Sequence, residues 1–253
     1  MMNHPNAAAV GGKMYVLGGL TPASDGAWRA VPDSWVYDPE KDSWEHLEPM
    51  PTGEERGSAA IGVHSSTIFL AGGMRTLMPG VGGEHDTLDV VSAYDSALRS
   101  WLSLPPLAQH LPARRDHAGS AVVGSTLYVL GGRDRGQVNV RDTVFALDLT
   151  QPSSGWSLSR GRMPTPRGGI AAAAVGPLVY TFGGEGNPAA GSGGVFNETE
   201  VYDTRTEMWQ RLGPMKVPRH GTSAVGIGRE VYIPGGGVTL GASGLRTFDK
   251  FHP

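Results

Sequence analysis

Histidine and carboxylate side chains stand at places in this sequence where acid–base chemistry would need them. Asp116-His117 and His220 each directly follow an arginine, and Glu185 directly follows a pair of glycines. A histidine beside a carboxylate can take up and release a proton near neutral pH. These four residues are therefore candidate general acids and bases, and the alternative is that the histidines only hydrogen-bond loop backbone.

Arginines recur just ahead of these residues and are candidate ligand-binding groups. They are Arg56, Arg115, Arg167 and Arg219. A ring of guanidinium groups could bind an anionic ligand, and equally each guanidinium could hydrogen-bond neighbouring loop carbonyls. Arg133 and Asn187, which follow glycine pairs, complete the predicted ligand-binding set. Two histidines with a carboxylate could hold a metal, but their spacing is not local, and we predict neither a metal site nor a cofactor.

An internal repeat sets the spacing of these candidates. Its anchors are glycine pairs at Gly18-Gly19, Gly72-Gly73, Gly131-Gly132, Gly183-Gly184 and Gly235-Gly236. A tyrosine or phenylalanine stands three residues before each pair, and an arginine stands sixteen residues before four of the five. Downstream come apolar-Asp pairs, at Tyr37-Asp38, Tyr94-Asp95, Leu147-Asp148, Tyr202-Asp203 and Phe248-Asp249. Four copies continue to a tryptophan, at Trp44, Trp101, Trp156 and Trp209.

Each mark has a structural reason that predicts a four-stranded antiparallel sheet for each copy. Two short apolar runs joined by a turn form a hairpin, and the glycine pair lets the chain leave its second strand through backbone angles that a Cβ would forbid. The recurrent Asp is expected to cap the turn after the third strand. Tyrosine and tryptophan rings are expected to fill the space between neighbouring sheets.

With these marks in place, the sequence resembles a kelch-repeat β-propeller. The resemblance covers residues 2–253 and implies an all-β, single-domain fold of five four-stranded repeats, the last one incomplete. Their approximate bounds are residues 2–54, 55–113, 114–165, 166–217 and 218–253. The ring either closes with five blades or is a six-bladed ring that lacks an N-terminal blade. The second alternative is favoured because an open sheet edge is a liability.

The propeller geometry gathers the candidate residues in one place. The start of the first strand and the end of the second strand of each blade lie on the same face, so the arginine positions and the loops after the glycine pairs surround one mouth of the central channel. Features that recur in every copy are expected to be architectural, and departures from the repeat are better functional candidates. Glu84-His85-Asp86, in a long Gly-rich loop, is expected to be solvated.

Composition limits the partners and the compartment. The net charge is −3, and no basic run with interleaved aromatic residues is present, so no nucleic-acid partner is expected. No apolar stretch is long enough for a membrane span. The N-terminus carries no secretory signal, which fits a cytoplasmic protein as written, whereas secretion remains open if an N-terminal segment is missing. We expect a monomer.

Two functions stay open at this stage, so the sequence leaves undecided whether the protein is an enzyme. Many kelch domains are recognition or scaffold modules, which implies a propeller that binds a protein or a small polar ligand on its loop face. Sugar-acid epimerases of similar fold use channel-facing arginine and acidic residues, which implies isomerase-like acid–base chemistry at the channel mouth. Copper-radical oxidases of this fold need a crosslinked cysteine, and this sequence has none.

Overall fold

The computed structural model describes residues 1–80 and 82–253. Within them the chain forms β-strands and two short 3-10 helices, Pro106–Ala108 and Pro152–Ser154, with no α-helix. The strands form a five-bladed β-propeller, which confirms the all-β kelch-type prediction. No helix in the described ranges is long and apolar enough to cross a membrane.

Each blade is an antiparallel sheet whose strands follow one another in the chain. Blade 1 holds β1 (Ala7–Val10), β2 (Lys13–Pro22), β3 (Trp28–Asp38) and β4 (Ser43–His46). Blade 2 holds β5 (Ala60–His64), β6 (Thr67–Ala71), β9 (Val91–Asp95) and β10 (Ser100–Leu102), and between β6 and β9 the chain forms a hairpin of β7 (Met74–Leu77) and β8 (His85–Thr87). Strand β7 pairs with β3, so this hairpin extends the sheet of blade 1.

The remaining three blades repeat the pattern. Blade 3 holds β11 (Gly119–Val123), β12 (Thr126–Leu130), β13 (Val144–Asp148) and β14 (Ser157–Leu158). Blade 4 holds β15 (Ala171–Val175), β16 (Leu178–Phe182), β17 (Thr199–Asp203) and β18 (Met208–Arg211). Blade 5 holds β19 (Val225–Ile227), β20 (Glu230–Pro234) and β23 (Phe248–Phe251), with a separate hairpin of β21 (Gly237–Thr239) and β22 (Ala242–Gly244).

Aromatic side chains hold neighbouring blades together, as the repeat predicts. Tyr202 of blade 4 packs 5.9 Å from Tyr128 of blade 3, and its own neighbour Trp209 lies 5.1 Å away. The indole N–H of Trp209 donates to the Gly161 carbonyl in the segment that precedes blade 4. Trp101 and Trp156 make the same kind of bond to residues about 50 positions earlier. Trp44 departs from the prediction because 51% of it is exposed.

Nine of the ten paired glycines adopt the positive φ predicted for them, and Gly19 is the exception. Gly183 and Gly184 have φ of 56° and 117°, in the left-handed region that side chains disfavour. A Cβ on Gly183 would lie 2.1 Å from the carbonyl oxygen of Arg219, and the Gly184 N–H donates to that same oxygen at 2.9 Å. The pair is therefore required where the next blade packs closely.

The recurrent Asp caps its turn in four copies but not in the fifth. The carboxylates of Asp38, Asp95, Asp148 and Asp203 accept a backbone N–H two residues later. The prediction for Asp249 was wrong, because Asp249 lies inside β23 and forms an ion pair with Arg219 at 2.6 Å. In the strand pairing, Phe251 lies opposite Val231 and Tyr202 lies opposite Val179. Phe251 therefore occupies in blade 5 the position that Tyr202 occupies in blade 4.

Candidate binding site at the channel mouth

The backbone builds the same two positions at the mouth of every blade. The residue after the arginine position pairs with the residue after the glycine pair through reciprocal N–H···O=C bonds. The five pairs are Asn3 with Leu20, Gly57 with Met74, Asp116 with Arg133, Gly168 with Glu185, and His220 with Gly237. Since the backbone is equivalent in each blade, the differences between blades lie in the side chains.

Those side chains divide the mouth into an apolar half and an ionic half. Blades 1 and 2 supply Leu20 and Met74, which are buried in one apolar cluster with Leu77. Blades 3 to 5 supply four buried polar residues, Asp116, Arg133, Glu185 and His220, which we call the ionic chain. The ionic chain unites residues that the sequence predicted for catalysis and for ligand binding.

The ionic chain runs continuously across three blades. Arg133 donates from Nε to Oδ1 of Asp116 at 3.1 Å and from Nη1 to Oε1 of Glu185. Glu185 Oε2 lies 3.2 Å from Nδ1 of His220, whose Nε2 lies 2.8 Å from the Thr239 carbonyl oxygen. Both ring nitrogens of His220 thus face oxygen acceptors. The Arg133 guanidinium thus lies between two carboxyl groups, as burial of a charged side chain requires.

Gly168 makes the crossing from blade 3 to blade 4 feasible. A Cβ at this position would lie 2.4 Å from Cγ of Arg133. Because glycine has no side chain, the Arg133 side chain can pass over the backbone of blade 4 and reach Glu185. The sequence could have indicated this crossing, because a glycine, Gly168, occupies the position directly after the repeated arginine that Asp116 holds in blade 3.

Three further histidines and one hydroxyl surround Asp116. His117 Nδ1 lies 2.7 Å from Asp116 Oδ1, and the Thr87 hydroxyl donates to Oδ2. The His4 ring meets the His117 ring edge-on at 4.9 Å. The expectation that His85 is solvated was wrong, because it is 4% exposed and its Nδ1 lies 3.6 Å from Asp116 Oδ2. The β7–β8 hairpin brings His85 and Thr87 there.

Burial sets the protonation of this group. Desolvation, followed by the charge of Arg133, lowers the pKa of His4 to about 4 and holds the pKa of His117 well below its ordinary value. Burial alone would raise the pKa of Asp116, but the hydrogen bond from His117 and the charge of Arg133 hold it well below the ordinary range. Near neutral pH, His4 and His117 are therefore neutral and Asp116 is ionised.

A ladder of backbone hydrogen bonds joins the blades around the channel. The second residue after each arginine position has positive φ, namely His4, Ser58, His117, Gly169 and Gly221. The N–H groups of Ser58, His117, Gly169 and Gly221 donate in turn to the carbonyl of the preceding member at 2.8 to 3.3 Å. Histidine at a left-handed position costs about 1 kcal/mol that glycine would avoid. Such strain is typical of functional positions.

The repeated arginines lie inside the blades. Nε of Arg56 donates to the Gly72 carbonyl at 2.6 Å, and Nε of Arg167 donates to the Gly183 carbonyl at 2.7 Å. The guanidinium of Arg115 lies 5.0 Å above the Phe145 ring, and Arg219 binds Asp249. These contacts hold each guanidinium in its own blade. Burial lowers the pKa of Arg56 and of Arg115 to about 10.

Asn187 fixes the conformation of its own loop. Its Nδ2 donates to the Val195 carbonyl at 2.9 Å, and its Oδ1 accepts the Ala189 N–H at 3.0 Å. The part of the chain that is described contains no group of three or more His, Asp or Glu side chains arranged to hold a metal ion. Two grooves of about 280 and 350 Å³ lie between blades 1 and 2 and between blades 3 and 4, and no member of the ionic chain lines either.

Fold and site together define a kelch-type propeller whose mouth carries a buried ionic chain. The model of the KLHDC2/KLHL20/DRC7 Kelch-repeats domain matches residues 3–236. This chain belongs to that Kelch-repeat family.

Similar proteins cover almost the whole chain. Kelch-like protein terF of Aspergillus terreus is 41% identical over 252 residues, which are 100% of this chain and 53% of that protein. Human Kelch-like protein 25 is 29% identical over 98% of this chain and 38% of its own length. The solved structure of YjhT superposes with a TM-score of 0.77 at 16% identity, over 98% of this chain and 80% of that one. The chain thus spans about half the length of terF and a smaller share of human Kelch-like protein 25.

Proposed function

We propose that this protein is a binding propeller that recognises a protein partner, or a small polar ligand, at the mouth formed by the loops after the glycine pairs. The observation that carries the proposal is the ionic chain. Its four residues occupy positions that the repeat makes equivalent, yet only blades 3 to 5 place ionisable groups there. Architecture alone needs no charge at these positions, because blades 1 and 2 fill them with Leu20 and Met74.

The loops above the ionic chain supply the contact surface. They include the segments that carry Val138, Asn139 and Ala189, all exposed on the same face. Loops on a rigid β-scaffold are the usual place for recognition, and the Kelch-repeat family is consistent with a protein-binding scaffold. A partner that seats on these loops would meet the ionic chain and the His4 and His117 rings beneath them.

Site-specific photo-crosslinking tests this proposal. A benzophenone amino acid is placed at Val138, on the mouth, or at Leu98, an exposed residue in the turn at the opposite end of blade 2. Both proteins are irradiated in a lysate of the source cells, and native mass spectrometry detects any retained small molecule. We expect a discrete adduct from Val138 only, lost when Glu185→Gln breaks the ionic chain. Equal adducts from both positions, or adducts that survive Glu185→Gln, would contradict mouth recognition.

One contact favours a second candidate function, acid–base catalysis at the mouth. Glu185 and His220 lie 3.2 Å apart and form a carboxylate–imidazole pair. Such a pair can move a proton on a small polar substrate. Screening the purified protein for solvent deuterium incorporation into sugar acids tests this candidate. Incorporation that disappears in His220→Gln but persists in His46→Gln, an exposed control, supports an enzyme, and the absence of incorporation across the panel leaves binding as the function.

A further inference from the structure

The two grooves between blades are built at equivalent places but carry opposite charge. The groove between blades 1 and 2, called the 1–2 groove, is lined by Lys13 and Arg99 and, within the described residues, by no carboxylate. The groove between blades 3 and 4, called the 3–4 groove, is lined by Asp148 and Glu207 and, in the same part of the chain, by no cationic side chain. The 3–4 groove therefore attracts cations.

In blade 1 an ammonium group of the chain itself binds the recurrent aspartate. Nζ of Lys13 lies 3.1 Å from Oδ2 of Asp38. Thr126 is the first residue of β12, as Lys13 is the first residue of β2, and it stands opposite Asp148, the counterpart of Asp38. Because threonine carries no charge, Asp148 does not receive the ammonium group that Asp38 receives. The equivalent position in blade 3 is thus suited to an ammonium group from outside.

Each carboxylate of the 3–4 groove keeps one oxygen for a ligand. Asp148 accepts the N–H and the hydroxyl of Thr150 through Oδ1 alone, and these hydrogen bonds hold its pKa below the ordinary value. Glu207 accepts the Arg160 N–H through Oε2 at 2.9 Å, and Nε of the highly exposed Arg160 side chain lies 3.5 Å from that same oxygen. Oδ2 of Asp148 and Oε1 of Glu207 accept no hydrogen bond from the described residues.

The wall of the 3–4 groove also departs from the repeat. Blades 1, 2 and 4 have leucine three residues after their tryptophan, whereas blade 3 has Ser159, which is buried. The Ser159 hydroxyl hydrogen-bonds the Tyr202 hydroxyl at 2.7 Å. In blade 2 the equivalent hydroxyl of Tyr94 is buried with no hydrogen-bond partner among the described residues. The packing of the blades therefore does not need this polar pair, which makes Ser159 a functional candidate.

Aromatic residues and a small side chain give the groove its shape. Tyr128, Trp156 and Tyr202 line it, and Ala146 stands where the 1–2 groove has the larger Val36. An ammonium cation is attracted to the face of an aromatic ring, and rings also pack against alkyl chains. With a volume of about 350 Å³ the groove has room for an alkyl chain of several carbons together with its ammonium group.

We propose that the 3–4 groove binds the ammonium group of a primary alkylamine, supplied by a free diamine or by the side chain of a lysine. The ammonium donates to Oδ2 of Asp148 and Oε1 of Glu207, and the alkyl chain packs against Tyr128 and Trp156. The strand ends and turns that form this groove lie at the end of the propeller opposite the mouth. The proposal therefore goes beyond the proposed function and is tested separately from it.

Amine titrations of the whole protein test the proposal. Putrescine, the amide of N-acetyl-lysine and, as an anionic control, butyrate are each added while NMR follows the Trp156 indole N–H. We expect saturable shifts with at least one amine and none with butyrate, and the amine that binds more tightly identifies the source. Glu207→Gln should weaken amine binding by about fivefold or more. Glu40→Gln, an exposed residue of blade 1, changes the net charge equally and should leave binding unaltered.

A second variant fills the groove without touching a carboxylate. Ser159→Leu introduces the leucine that three other blades carry at this place and should abolish amine binding while the protein stays folded by circular dichroism. The assignment is overturned if neither amine binds, if butyrate binds as tightly as the amines, or if Glu207→Gln or folded Ser159→Leu binds them like the unaltered protein. An equal loss in Glu40→Gln would also overturn it, because binding would then reflect net charge alone.

Discussion

At the scale of single residues, the same amino-acid type serves different ends according to its place in the repeat. Arg56 and Arg167 recur and bind carbonyls of their own blades, whereas Arg133 stands outside the arginine positions and links two carboxylates of neighbouring blades. The internal repeat thus separates architecture from candidate function with no other sequence to compare.

Replacing a paired glycine tests the packing between blades. Gly183→Ala forces a Cβ into left-handed backbone and against the Arg219 carbonyl oxygen, 2.1 Å away. Gly176→Ala is the matched control, since Gly176 has a similar φ of 59° but nothing within 4 Å. We expect the control to lose about 1 kcal/mol of unfolding free energy and Gly183→Ala to lose several times more, measured by urea denaturation. Equal losses would show that blade contact does not require the glycine.

Removing the central cation tests the ionic chain. Arg133→Met leaves Asp116 and Glu185 buried without their shared partner. Breaking a buried pair in this way costs about 3–5 kcal/mol. The neighbouring Arg135→Met removes an exposed guanidinium and should change stability by no more than about 0.5 kcal/mol. Denaturant melts of the two variants decide, and a loss below about 1 kcal/mol for Arg133→Met would mean that the ionic chain does not stabilise the fold.

At the scale of strands and sheets, the stability that a fourth-strand tryptophan contributes depends on how it packs against the blade that precedes it. Trp209→Ala removes a half-buried ring that contacts Tyr202 and hydrogen-bonds Gly161. Trp44 occupies the equivalent strand of blade 1 but is largely exposed. We expect Trp209→Ala to cost about 2–3 kcal/mol and Trp44→Ala less than about 1 kcal/mol. Thermal unfolding of both variants measures the difference, and similar costs would contradict the packing described between blades.

The repeat allowed the elements to be predicted, but not the contacts that cross between them. Strand hairpins, glycine turns and the gathering of Asp116, Glu185 and His220 at one mouth follow from local pattern and propeller geometry. The position of His85 does not, because the β7–β8 hairpin pairs with β3, more than 40 residues earlier in the chain. Asp249 was misplaced for a related reason, since its ion pair with Arg219 depends on a strand register that local spacing does not reveal.

At the scale of the whole molecule, four of the five blades contribute to a group of titratable side chains that no single blade could hold. His4 comes from blade 1, His85 from the blade 2 hairpin, His117 with Asp116 from blade 3, and His220 from blade 5. The lowered pKa values of His4 and His117 therefore depend on the integrity of the ring, and unfolding releases both imidazoles to water.

This coupling predicts that acid destabilises the propeller. The pKa of His4 falls from 6.5 to about 4 on folding, so below pH 6.5 the unfolded chain binds more protons than the folded one. Stability is then complete above pH 6.5 and declines as the pH falls towards 4, by roughly 2 kcal/mol for His4 after discounting for its partial exposure. His117, whose pKa is also lowered, adds to the same trend.

Urea melts between pH 7.5 and 4.5 measure the acid effect, with two variants to assign it. His4→Gln removes the titrating ring and should flatten part of the slope, whereas His46→Gln, an exposed ring on β4, should leave the slope unchanged. Carboxylates titrate in both variants, so the difference between the two slopes isolates His4. If the slope were the same in both variants, the His4 imidazole would be free to protonate in the folded ring, and the mouth would have to be more open to water than its packing against Trp28 and His117 allows.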